Sequence, residues 1–384
     1  MVGTSLPTIQ SYLNIDIKMA GFMMAILQIG FTLFTLISGI LSDLYSRERI
    51  LAFGCFLLSI GSLFLGFTTS LVFNMCLVSE VGADAYCEDA GEGVAGLGCI
   101  LSGTNALLAG LYPDNKRKIL NIHHVFFSLG SFVGPLLIGY LITQTNNWRW
   151  GYVGEGFLLL ILCFVFLFVN ASDKTVKKRS KFVSQVKLVV RDRGFLLILI
   201  VNSLAVGTQL SVILLGVTYL QQAKHCSLSE AGIALSVFAI TMMVGRIICS
   251  RFSAAIQNST IILILLGLQL AAMLFTWLGN GSLALIALAL SGFGFSGIYP
   301  TSLALTGILF PHVEGSSLGI ISTTAGVGSI LLCGAIGYVA GISDMQTGFS
   351  LIVIACLLGF LLFLFFYTRM SRRESSLGVV YSSD

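Results

Sequence analysis

The chain has 384 residues, 56% of them hydrophobic, with a mean hydropathy of +0.95 and a formal charge of +4. Only 10% of its residues are charged, against roughly 25% in a water-soluble domain, so a soluble fold would leave its apolar surface uncovered. The small net charge leaves no basic footprint for nucleic acid, and the solvent that suits the composition is lipid.

In chain order, apolar runs long enough to cross a bilayer are predicted at 18–43, 49–78, 93–112, 119–145, 151–171, 194–221, 229–254, 260–279, 282–309, 316–340 and 345–368. A crossing helix needs about 20 such residues. The opening stretch MVGTSLPTIQSYLN is too short and too polar to span, and reads as the outer end of a helix begun earlier. The expectation is an all-α membrane protein with eleven complete spans plus an N-terminal stub.

Lys and Arg alternate with these spans. Seventeen fall on one side: Arg47 and Arg49, Lys116 to Lys118, the eight from Lys174 to Arg193, Arg251, and Arg369, Arg372 and Arg373. Lys18, Arg149 and Lys224 fall on the other. The bias places the richer side, the middle segment and the C-terminus in the cytoplasm, with the cell membrane as the expected location. The basic segment 173–193 separates a bundle at 1–172 from a second at 194–370, followed by a tail at 371–384. Val183, Val186, Val189 and Val190 give part of that segment an amphipathic spacing suited to the membrane surface.

The nine cysteines form no CxxC pair and have no His at ligand spacing, so no metal or other cofactor is expected. An intramembrane enzyme needs paired aspartates, a Ser–His pair or an HExxH site within its spans, and none is present, so no enzymatic activity is expected.

At the end of the first complete span stands Gly39-Ile-Leu-Ser-Asp43-Leu-Tyr-Ser-Arg47-Glu-Arg49. It resembles the loop signature of the major facilitator superfamily, G-x-L-x-D-x-x-x-R-x-R. A reduced second copy, Gly245-Arg246-Ile-Ile-Cys-Ser-Arg251, keeps the glycine and the arginines and loses the aspartate. Asn105 to Pro113, Leu120 to Gly130, Gly294 to Thr301, and Gly319, Gly326 and Gly328 are similar to the branch containing the fucose–proton symporter and other sugar carriers.

The resemblance implies two pseudo-symmetric six-helix bundles that carry a small solute by alternating access. It also implies a gate of Gly39, Asp43, Arg47 and Arg49. Asp43 is expected to pair with the following arginine and to face a helix N-terminus near Gly315-Ser316-Ser317, where the helix dipole favours an anion. The alternative is a carboxylate that only marks topology.

Solutes of such carriers bind near the bilayer midplane. Asn105 and His124 lie at similar depth on successive spans, and Gln209 lies slightly beyond the middle. Tyr299, Gln28 and Asn202 complete the candidate set. Amides and imidazoles donate and accept hydrogen bonds, which suits a hydroxyl-rich solute. The same residues can equally serve as bonds between helices.

Fucose-type carriers use carboxylates on the first and fourth spans, and here the fourth-span position is Leu101. His124 is then the remaining titratable candidate, and a proton or sodium ion is the candidate coupling partner. The expected function is transport of a sugar or similar solute by a monomer in the bilayer. A multidrug or metabolite exporter of the same fold is the alternative, on the partial motif Gly130-Ser-Phe-Val-Gly134-Pro135. A non-transporting, sensor-like relative is a third reading.

Overall fold

The computed structural model describes residues 31–67, 94–145, 149–169, 187, 189–252 and 255–381. The N-terminal stub, Gln28, a stretch at 80–92 that carries Glu80, Asp84, Glu88, Asp89 and Glu92, and most of the basic segment lie outside them. The described residues are helical, in the order α1 Phe31–Leu41, α2 Arg47–Phe67, α3 Val94–Leu111, α4 Lys116–Thr145, α5 Arg149–Phe168, α6 Arg193–Gln222, α7 Leu228–Arg251, α8 Asn258–Leu278, α9 Gly281–Ser296, α10 Ile298–Leu309, α11 Glu314–Ile342 and α12 Met345–Tyr381. Six segments among them are long and apolar enough to cross a membrane, all in the second half. Three shorter apolar helices (Phe31–Leu41, Gly96–Leu111 and Val153–Phe168) lie in the first half.

In lipid, helices associate through close packing and polar contacts rather than hydrophobic expulsion. Glycine pairs do this work here. The backbones of Gly39 on α1 and Gly319 on α11 touch, and a Cβ on Gly319 would sit 2.6 Å from Gly39 Cα. Gly207 on α6 meets Gly328 on α11 in the same way, where a Cβ would sit 2.6 Å from Gly328 C. The outward faces are apolar, as Phe365 (80% exposed) and Leu331 (66%) illustrate. A lipid environment removes the cost of that exposure.

The two halves pack alike. In the first, α2 packs on α3 and α5. In the second, α8 packs on α9 and α12. Between the halves, α4 meets α7 and α10, and α3 meets α11.

The repeat is sharpest at two turns. A one-turn 3₁₀ helix, Pro113–Asn115, joins α3 to α4 after Tyr112 (φ −126°, ψ 64°). Its counterpart, Pro311–Val313, joins α10 to α11 after Phe310 (φ −133°, ψ 57°). Each starts with proline, which cannot continue the preceding helix and fits the first helical position. Lys116 and Glu314 are the first residues after the two turns.

The span expected at 282–309 is present as one apolar segment, Gly281–Leu309, long enough to cross a membrane, with a one-residue interruption at Gly297 between α9 and α10. Pro300 has no N–H to return to the Ser296 carbonyl, and Arg246 Nε donates to that carbonyl instead, at 3.1 Å.

Candidate functional site

The ends of the helices that carry Arg47, Lys116, Arg251 and Arg373 form one basic end of the bundle. There the halves are tied. The first four N–H groups of a helix have no partner within it. Asp43 supplies acceptors to two of those of α11: Oδ1 accepts from Gly315 N at 3.0 Å and Oδ2 from Ser316 N at 2.7 Å. Charge, hydrogen bonds and helix dipole act together. Gly315 leaves the space, since a Cβ there would meet Ser42 Oγ and lie 2.9 Å from Asp43 Oδ1.

Arg47 does not pair with Asp43, as the resemblance led us to expect, because both carboxylate oxygens face α11. Its guanidinium turns to the Ala106 carbonyl and to Glu314 Oε2, the latter at 3.5 Å. Arg49 is exposed and has no ion pair to the other half among the described residues. Lys116 Nζ completes the tie, 2.5 Å from Glu314 Oε1 and 3.0 Å from the Gly307 carbonyl. Glu314, missed in the sequence, therefore binds two cations of the first half. It carries no motif of its own, and only its place in the repeat of Lys116 signals it.

Just inside this layer lies a second crossing. Arg246 on α7 is 2% exposed. It donates through Nη1 to the His124 carbonyl at 2.6 Å and to Ser128 Oγ at 2.5 Å, both on α4. Its three acceptors are neutral, so the link orients α7 on α4 without a salt bridge among the described residues.

Three of the six solute candidates come together across the interface. Asn105 (0% exposed) points Nδ2 at Tyr299 Oη, 3.5 Å away. Tyr299 Oη donates to Ser322 Oγ at 2.7 Å. The His124 ring lies edge-on to Tyr299, centroids 5.2 Å apart. Helices α3, α4, α10 and α11 thus each contribute one polar side chain. Asn105 Oδ1 and His124 Nε2 are buried with no hydrogen-bond partner among the described residues. Buried polar atoms are normally satisfied, so these two have capacity for a further partner.

The other candidates do not join this cluster. Asn202 Nδ2 donates to the Ile321 carbonyl at 2.9 Å and Thr324 Oγ1 at 3.0 Å. Gln209 Nε2 faces Met242 Sδ at 3.4 Å. Both are bonds within the second half. Gln28 lies outside the described residues.

Glu155 is the carboxylate placed along a span rather than at an end, among the described residues. Its Oε2 accepts from Ser62 Oγ at 3.4 Å, between α5 and α2, away from the Asn105 cluster.

The chain matches the family model for the Major Facilitator Superfamily over residues 1–331 and 204–378. It is 24% identical over 333 residues to a TsgA homologue of Buchnera aphidicola, covering 86% of this chain and 81% of that protein. It is 30% identical over 156 residues to multidrug resistance protein 3 of Bacillus subtilis, covering 40% of this chain and 28% of that one. Among solved structures it resembles FucP in its outward conformation, with a TM-score of 0.73, 17% identity and 95% of both chains covered. It also resembles the human organic anion transporter TETRAN (MFSD10), with a TM-score of 0.72, 15% identity, and 94% and 88% covered. The chain is therefore an integral, multi-pass membrane protein that belongs to the major facilitator superfamily of transporters.

Proposed function

We propose that the chain carries a small hydroxyl-bearing solute, of the sugar class, across the cell membrane by alternating access. The reading rests on the cluster of Asn105, His124, Tyr299 and Ser322. It is polar and buried, it is assembled from both halves, and Asn105 Oδ1 and His124 Nε2 have bonding capacity left over. A solute hydroxyl can donate to either atom. A site that hydrogen-bonds hydroxyls rejects analogues that lack them, because its own groups would then stay unpaired. The fold similarity to FucP, a fucose:proton symporter of E. coli, agrees with this class.

Alternating access requires that the two ends seal in turn. The contacts of Asp43, Arg47 and Lys116 with α11 serve as the seal at the basic end, which the Lys and Arg bias assigns to the cytoplasm. His124 is the imidazole of the cluster and the candidate site for a coupling proton.

A second reading, export of apolar compounds, is favoured by the Gly130–Pro135 stretch on α4 and by the Bacillus subtilis relative. A thermal-shift screen of the purified chain separates the two. Millimolar hexoses should raise the melting temperature of the protein and fail to raise that of His124→Ala. Stabilisation by lipophilic cations alone would favour the exporter.

A further inference from the structure

The basic end holds a cavity of about 430 Å³ between the start of α6 and the last part of α12, unconnected with the Asn105 cluster. Arg191, Arg193, Arg369 and Arg373 line it, with Asp192, and Leu197 and Phe366 contribute apolar lining. Only one of these arginines is neutralised among the described residues. Arg373 Nη1 lies 2.8 Å from Asp192 Oδ1, and its guanidinium also lies over the Phe310 ring at 5.4 Å. Asp192 is occupied a second time, as the cap that accepts from Phe195 N at 2.9 Å. Arg191, Arg193 and Arg369 are exposed and form no ion pair among the described residues.

The chain has little with which to neutralise them. Glu374, on the same helix, is buried and accepts from the backbone N–H groups of Asn258 and Ser259 at the start of α8, at 2.8 and 3.0 Å. The stretch 170–186 carries five cations and one acid, Asp173. The last residues, 377–384, carry one acid, Asp384. Three positive charges around one cavity repel each other unless an anion joins them.

The apolar surroundings specify what kind of anion. On α12, Leu358, Leu361 and Phe365 precede Arg369 at helical spacing and are 54%, 50% and 80% exposed. On α6, Leu196 and Ile200 follow Arg193 in the same manner, 41% and 52% exposed. Residues three and four apart share a helix face. Each helix therefore presents an apolar stripe to the bilayer that ends in an arginine at the membrane border. A soluble anion has no use for the stripes. A phospholipid uses both parts, with acyl chains along the stripes and phosphate among the arginines.

We propose that this cavity binds the headgroup of an anionic phospholipid, with Arg191, Arg193 and Arg369 as the phosphate-binding groups. Arg373, already paired, holds the two helix ends together beneath it.

The test uses the full-length chain in nanodiscs of phosphatidylcholine containing a minor fraction of phosphatidylglycerol. Retained phosphatidylglycerol is counted by native mass spectrometry after release. The protein should keep a bound phosphatidylglycerol, and Arg369→Gln should weaken its retention about fivefold, the factor expected per arginine near the surface. Arg191→Gln with Arg369→Gln should remove it. Arg372→Gln, exposed on α12 but outside the cavity, should leave retention unchanged. Equal loss in Arg372→Gln would mean unspecific attraction to basic residues and overturn the site. Undiminished retention in the double variant would also overturn it. Full displacement by 10 mM glycerol phosphate would reassign the cavity to soluble phosphates. Retention is compared only between variants of unchanged helicity, and Arg191→Gln alone replaces the double variant if that one misfolds.

Discussion

Lys116 and Glu314 occupy the same position in the two copies of one turn, and their side chains meet, Nζ to Oε1 at 2.5 Å. Equivalent residues of a two-fold repeat touch each other only close to the axis that relates the copies. Opposite charge at that place turns an internal repeat into a tie between its halves. Arg47 adds a second cation to the same carboxylate.

Removing Glu314 leaves the buried Lys116 ammonium and the Arg47 guanidinium without their acid. Glu314→Gln should lower stability by about 3 kcal/mol and make cysteines introduced at the basic end alkylate faster. The exchange Lys116→Glu with Glu314→Lys should recover part of the loss. Its partial nature follows from Arg47, which then faces a lysine. Thermal denaturation in detergent and alkylation rates measure both effects.

Asp43→Asn keeps the size of the side chain and removes the charge at the α11 N-terminus, a loss of about 1 kcal/mol. Gly315→Ala attacks the same contact from the other side through its Cβ. If the two act on one contact, the double variant should cost less than the sum of the single ones. Additive losses in a melting-temperature cycle would separate the two residues.

Gly39→Val should obstruct closure of the basic end, because the Gly319 backbone occupies the required space. Overpacking of this kind costs about 1–3 kcal/mol. The measurement is cysteine accessibility from each side of a sealed vesicle, which should rise at the basic end and fall at the opposite one.

The pH response of the membrane border should follow Asp192. Burial alone would raise its carboxyl, but the hydrogen bond and charge of Arg373 and the N–H groups of Phe195 and Gly194 hold it below the usual value of 3.8. A group depressed in the folded state stabilises fully above its unfolded pKa, and the contribution is lost as pH falls through the lower folded value. Helix α6 should therefore fray at its start below about pH 4. Arg373→Gln should bring the folded value closer to the unfolded one and so flatten this pH dependence in hydrogen exchange read at Phe195.

The membrane-spanning class was legible from composition and run length, because lipid exposure leaves a chemical mark on nearly every residue. The partner of Asp43 was legible as well, since a carboxylate at a helix border must find donors and a homologous half supplied a helix N-terminus. Glu314 was not. An acid in a turn looks like a solvated residue until the repeat places Lys116 beside it. Gln209 was chosen for depth and Asn202 as a further polar candidate, but neither depth nor polarity fixes which face of a helix a side chain takes, and both bond within their own half. The one-residue interruption at Gly297 within the expected span was hidden too. Pro300 is visible in the sequence, whereas the arginine that takes the released Ser296 carbonyl comes from a helix 50 residues away.

Counterflow in liposomes tests the transport reading most directly. Vesicles containing the chain and loaded with unlabelled hexose should take up labelled hexose transiently above equilibrium, and His124→Ala vesicles of equal protein content should not. The absence of hexose exchange by the unmodified chain, or full exchange by the variant, would contradict it.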